Sequence, residues 1–165
     1  MKLPTSPFAR FAWLVITVLL VTACGSGARE IRGELPLVRL ESLEVDDQHV
    51  ILAVGLRTIN DRSLMLRRLA TRVMVEGQLL LDTEAAFQID ISARGREVVR
   101  LEATGQAAGL AVLAERFGPT TGTDRALANA AWTMELTLVD ARERQSDSQV
   151  QGFLHPVPGR PGQFR

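Results

Sequence analysis

Val50-Ile51-Leu52-Ala53-Val54-Gly55-Leu56-Arg57 alternates with a period of two: Val50, Leu52, Val54 and Leu56 share one face, and Ile51, Ala53, Gly55 and Arg57 the other. That period belongs to a β-strand, whose successive side chains point to opposite sides of the sheet. Apolar residues on both faces at one end of the strand place it in the interior of its sheet. Asp46-Asp47-Gln48 makes the turn before it. Behind it, Asn60 and Asp61 in Thr58-Ile59-Asn60-Asp61 favour a turn through side-chain bonds to the backbone.

The same rhythm extends outward in both directions. Upstream, Val38 and Leu40 share a face, while Leu43 and Val45 have the opposite parity; a β-bulge near Ser42 brings all four to one core. Downstream, Ser63 to Arg68 leads into Leu69, Thr71, Val73 and Val75, and Glu76-Gly77-Gln78 reads as a hairpin turn before Leu79 to Leu81. Phe87, Ile89 and Ile91 alternate in their turn, Ala93-Arg94-Gly95-Arg96 reverses the chain, and Val99, Leu101 and Ala103 follow. Trp132, Met134, Leu136 and Leu138 form the last long strand. A charged loop over Arg142 to Ser148 then leads to a closing strand over Gln149 to Leu154. Repeated half-buried strands separated by turns predict an all-β antiparallel sandwich. A membrane barrel also alternates, but it needs aromatic girdles, and this chain has no tyrosine and only 5% aromatic residues.

One segment departs from the period. Between Gln106 and Phe117 the residues Leu110, Leu113 and Phe117 fall at helical spacing among alanines. A short amphipathic helix packed on the end or side of the sandwich accounts for them, with Gly118-Pro119-Thr120-Thr121-Gly122 ending it and starting a flexible loop. The sharper reading makes Leu110, Leu113 and Phe117 a contact site for a partner or lipid.

From Val50 to about Thr104 the order of residues resembles the late-embryogenesis-abundant group 2 family, also known through its water stress and hypersensitive response (WHy) domain. The matching residues are Ile59-Asn60, Leu64-Met65-Leu66, Leu69 to Val75, Glu76-Gly77 and Ile91-Ser92-Ala93-Arg94-Gly95. Two departures stand out: Asp61-Arg62 replaces the usual Pro-Asn, and Asp82-Thr83-Glu84 lacks the glycine that commonly ends that strand. The resemblance implies an immunoglobulin/fibronectin III-like sandwich of about seven strands. It also implies a loosely defined role in protection during dehydration or envelope stress, bacterial members often being lipoproteins.

The amino-terminal stretch carries an address. Lys2 and Arg10 precede an apolar run from Phe11 to Val21, the layout of a secretory leader. Val21-Thr22-Ala23-Cys24 resembles the lipobox of bacterial lipoproteins, which predicts cleavage between Ala23 and Cys24 and acylation of the Cys24 sulfur. Gly25 stands where Asp tends to mean inner-membrane retention, so the resemblance favours the periplasmic face of the outer membrane. The expected organisation is a leader over 1–23, a tether over 24–35, the sandwich over 36–156 and a disordered Pro/Gly-rich tail over 157–165. Cys24 is the only cysteine, so no internal disulfide forms and the apolar core holds the domain.

Candidate chemistry is sparse. Lysine and arginine number 19, as do aspartate and glutamate, and losing Lys2 and Arg10 with the leader would leave a slight negative excess. That balance argues against nucleic acid as a partner. Arg67-Arg68 and Arg94/Arg96 are local basic groupings, read first as solvated turns or strand edges and second as an anion site. His49 and His155 read as surface or strand-edge residues, and Asp46-Asp47 and Asp82/Glu84 as solvated turn acids with at most weak cation affinity. No metal, cofactor or nucleophile motif is present in the sequence. Three readings follow. The favoured one is a non-enzymatic envelope lipoprotein protecting through surface contacts. The second is an adaptor gripping another envelope protein or a lipid by a sheet edge or the Leu110–Phe117 helix. The last is a hydrolase or transferase. Oligomeric state and specific ligand are left open.

Overall fold

The computed structural model describes residues 30–118 and 129–165. The sequence-expected leader, the Ala23/Cys24 cleavage and acylation site, and Pro119 to Gly122 therefore lie outside the described residues. Ile31–Arg165 forms a compact unit of its own. Within it, chain order is β1 (Leu37–Asp46), β2 (His49–Arg57), β3 (Leu64–Val75), β4 (Gln78–Ile91), β5 (Arg96–Thr104), α1 (Ala107–Phe117), β6 (Ala130–Asp140), β7 (Gln145–Leu154) and β8 (Gln163–Phe164).

The strands form two four-stranded antiparallel sheets, ordered β5-β2-β1-β8 and β4-β3-β6-β7. This is the all-β sandwich the alternation predicts, and β2 is interior to its sheet as its two-sided apolarity required. Val50, Leu52, Val54 and Leu56 face Leu69, Val73, Val75, Met134, Leu136 and Leu138 across the core, each at most 2% exposed. On the outer face of β2, Gly55 leaves room for the Glu41 carboxylate, which reaches across it to Arg96 at 2.7 Å.

Three irregularities adjust the two-residue period. The register of β1 against β2 shifts between Leu40 and Ser42, and both Leu40 and Leu43 are buried. A second shift, between Leu66 and Arg68, puts Leu66 and Leu69 into the same core although their parity differs. In the third, Val73 pairs with Leu81 and Met74 with Leu79, and both Leu80 and Leu81 are buried. Each bulge adds one residue to one strand and so turns an out-facing parity inward. The β3–β4 connection has Glu76 at φ 47° and Gly77 at φ 78°, the left-handed pair that a two-residue hairpin with the right strand twist demands.

Several sequence expectations need correction. The described residues form eight strands where about seven are expected, the additional one being β8. β7 begins at Gln145, so the connection after β6 is a tight turn and not a long charged loop to Ser148. Asp140 explains the tightness: its Oδ1 accepts from the backbone N–H groups of Arg142 (2.8 Å) and Arg144 (3.0 Å), and its Oδ2 from Arg144 Nε (2.7 Å). The end of the expected tether is also fixed to the sandwich. Ile31 N–H donates to Asp61 Oδ2 at 2.7 Å, Asp61 N–H donates to the Ile31 carbonyl at 3.0 Å, and Asn60 bonds Glu34 in both directions at 2.8 and 2.9 Å.

The expected disordered tail is instead an arm folded back on itself. His155 and Arg165 exchange backbone hydrogen bonds at 2.9 and 3.0 Å, Val157 N–H donates to the Gln163 carbonyl at 2.8 Å, and β8 pairs with Leu43 and Glu44 of β1. Gly159 and Gly162, both at φ 74°, make the reversal that other residues resist. Proline and glycine here shape a turn rather than dissolve the chain.

Candidate functional site

Helix α1 seats against β4 at one end of the sandwich through Gly109, where its inner face carries no side chain. A Cβ on Gly109 would stand 2.5 Å from Leu80 Cα and 2.7 Å from the Leu79 carbonyl oxygen, so the helix backbone rests directly on β4. The Gln106 N–H donates to the Leu80 carbonyl at 2.7 Å and anchors the start of the helix on the same bulge. Leu113 and Phe117, one turn apart, point into the core and are buried; Leu110 is half-buried.

The C-terminal arm runs opposite. Phe164 is buried against Phe117, ring centroids 4.8 Å apart and planes tilted by 49°, a favourable aromatic geometry. Between helix, arm and the β1–β2 turn lies an apolar groove of about 990 Å³, with Leu110, Leu113 and Phe117 on one side and Pro156, Val157 and Phe164 on the other. The three residues singled out from the sequence are thus brought together on one wall. Leu113 and Phe117 serve mainly as anchors of the helix. The opposite wall carries no such signal in the sequence, since Val157 and Phe164 belong to the segment expected to be disordered.

The groove is weakly polar. Asp47, Gln48 and Arg160 stand in its lining. His155 lies beside the arm in an exposed position, while His49 sits on the start of β2 with Nε2 3.8 Å from Glu102 at the surface. No cluster of three His, Cys, Asp or Glu side chains that could hold a metal occurs among the described residues. Arg94 is engaged with Asp61 at 2.6 Å and Arg96 with Glu41, Arg67 faces Glu143 at 3.5 Å, and Arg68 faces Glu84 at 3.3 Å, so the basic groupings of the sequence are each met by a carboxylate. What this geometry can do chemically is hold an apolar group in a concave surface with a few polar atoms at its rim. No helix among the described residues is long and apolar enough to cross a membrane.

No protein-family model and no curated protein matches the chain. Its fold is similar to that in the solution structure of a protein assigned to the late embryogenesis abundant class, At2g46140.1, with a TM-score of 0.52 and 14% identity over 98% of this chain and 97% of that one. It is also similar to the solution structure of AT1g01470 from Arabidopsis thaliana, with a TM-score of 0.50 and 9% identity over 80% of this chain and 92% of that one. At such identities the likeness establishes a shared late-embryogenesis-abundant-like fold, and fold alone does not carry function.

Proposed function

We propose that this chain is a non-enzymatic lipoprotein of the bacterial envelope, held by acylated Cys24 at the periplasmic face of the outer membrane, that protects against drying, osmotic or envelope stress through surface contacts. This reading starts from the likeness of fold to a late embryogenesis abundant protein over nearly the whole length of both chains. The residue pattern from Val50 to Thr104 and the lipobox-like Val21-Thr22-Ala23-Cys24 support it. A strain lacking the protein should survive drying or hyperosmotic shock less well, and the purified domain should preserve a labile enzyme through a drying cycle. Wild-type survival together with no preservation of the enzyme would refute the role. Anchorage is measured separately: Cys24→Ser should move the protein from the membrane to the soluble fraction, and an unchanged membrane fraction would refute acylation as the anchor.

A second reading is favoured by the groove beside α1. An open apolar concavity of about 990 Å³ suits an adaptor that grips an apolar segment of another envelope protein, or a lipid. A photo-crosslinker at Ala111, an exposed helix residue on the groove lining, should then recover one stoichiometric partner from intact cells. Crosslinks scattered over many proteins fit the first reading instead.

A further inference from the structure

We infer that the end of the sandwich opposite α1 is a docking face for an anionic phospholipid surface, with a headgroup phosphate seated in its arginine-lined cleft. This face gathers the amino-terminal segment, the β2–β3 connection and the β6–β7 turn. Ile31, Leu35, Leu37, Ile59 and Met65 all lie at this end and are 36 to 57% exposed; the other large apolar side chains so exposed among the described residues are Val98 on β5 and Phe153 on β7. Exposed apolar side chains gathered at one end mark an interaction surface.

The cleft occupies about 620 Å³ among these elements. Arg32, Arg62, Arg142 and Arg144 line it, against two carboxylates, Glu34 and Asp140. Asp140 is already engaged with Arg144, its Oδ2 2.7 Å from the Arg144 Nη2, and is only 8% exposed, so it stays at the base of the turn. Pro36 and Leu66, both buried, belong to the cleft's apolar lining. Guanidinium groups match phosphate oxygens in geometry as well as charge. Arginines beside exposed leucine, isoleucine and methionine make the pattern of a protein surface that rests in the headgroup region of a bilayer.

Chain connectivity decides the occupant. Seven residue steps separate Ile31 from Cys24, and an extended chain covers at most about 3.3–3.6 Å per residue. With Cys24 acylated, which is the reading proposed above, this end lies within about 25 Å of the lipid. The groove end is farther by the length of the strands, about 30 Å for ten residues. The reciprocal bonds between Ile31 and Asp61 fix the point where the chain leaves the sandwich, so the arginine end and not the groove end meets the bilayer.

The test uses the unlipidated chain from Gly25 onward, which contains the whole compact unit Ile31–Arg165. It is floated with vesicles of phosphatidylcholine alone, or of phosphatidylcholine with phosphatidylglycerol. Binding is expected only to the anionic vesicles and should weaken as salt is raised. Arg62→Glu combined with Arg142→Glu should cut the bound fraction about tenfold or more. Leu35→Asp should also lower it, and all three substitutions lie at exposed positions, so an unchanged circular dichroism spectrum serves as the folding control. Equal binding to both vesicles, binding to neither, or binding indifferent to charge reversal overturns the docking face. Because this assay contains no acyl chain and the Cys24→Ser fractionation contains no vesicle, failure of one inference is distinguishable from failure of the other.

Discussion

Asn60 shows how much a single polar side chain holds. It is 6% exposed, its Nδ2 donates to the Glu34 carbonyl at 2.8 Å and to Thr58 Oγ1 at 3.0 Å, and its Oδ1 accepts from Glu34 N–H at 2.9 Å. Asn60→Ala removes all three bonds, each worth about 0.5–1.5 kcal/mol net, so urea unfolding should show a loss of about 1–3 kcal/mol. Hydrogen exchange at Glu34 N–H should rise more than at core amides. The sequence marks Asn60 as a turn former, but Glu34 stands 26 residues away and nothing local to either residue names the other. Asp140 is the second such residue. Burial pushes its pKa up, yet the Arg144 N–H, the Arg144 guanidinium and the Arg142 N–H together outweigh burial and hold the carboxyl below its ordinary value. A carboxyl lowered in the folded state adds stability that is complete above its ordinary value, near 3.9, and is lost as pH falls through the lower folded value. Asp140→Asn should therefore cost about 1–3 kcal/mol at neutral pH and make the urea midpoint less sensitive to acid below about pH 4 than that of the parent.

At the scale of the element, legibility follows side-chain chemistry. β2 and β6 announce themselves because every second residue is large and apolar. The bulge near Ser42 is readable because the parity of Leu40 and Leu43 conflicts openly. In Leu64-Met65-Leu66 and Leu79-Leu80-Leu81 both parities are apolar, and the shifts hidden there leave no mark in the pattern. The start of β7 is silent in the sequence because Ser146 and Ser148 take its inward positions near the turn, where small polar residues do not register as a strand face. Helix α1 was recognisable from Leu110, Leu113 and Phe117, but its seat depends on Gly109, whose spacing carries no hydrophobic signal. Gly109→Ala forces a methyl group into the β4 backbone and should destabilise the domain by about 1–3 kcal/mol, measured as a lower unfolding midpoint. Phe164→Ala tests the arm: loss of a buried aromatic should cost about 3–5 kcal/mol, and the opened groove should raise the fluorescence of an apolar dye.

For the molecule as a whole, the sandwich architecture was legible and the chemistry of its two ends was not. Turns and termini far apart in sequence build both the apolar groove and the arginine cleft, and alternation along strands does not encode which loops meet. Half of the strand pairings, β2 with β5, β3 with β6 and β1 with β8, join strands distant along the chain, so refolding should take milliseconds to seconds in stopped-flow experiments, slower than a helical bundle of equal size. With Cys24 the only cysteine, no internal disulfide contributes, and reductant should leave the unfolding midpoint of the purified domain unchanged.

The place of Phe164 in chain order also sets an order of events. A ribosome releases a polypeptide amino end first, so this ring emerges after β1 to β7 and α1. Until then a nascent copy holds Phe117 without its aromatic partner and β1 without its outer neighbour. Only a product translated through β8 can close, so one stopped short of Phe164 carries an open core, ready for degradation.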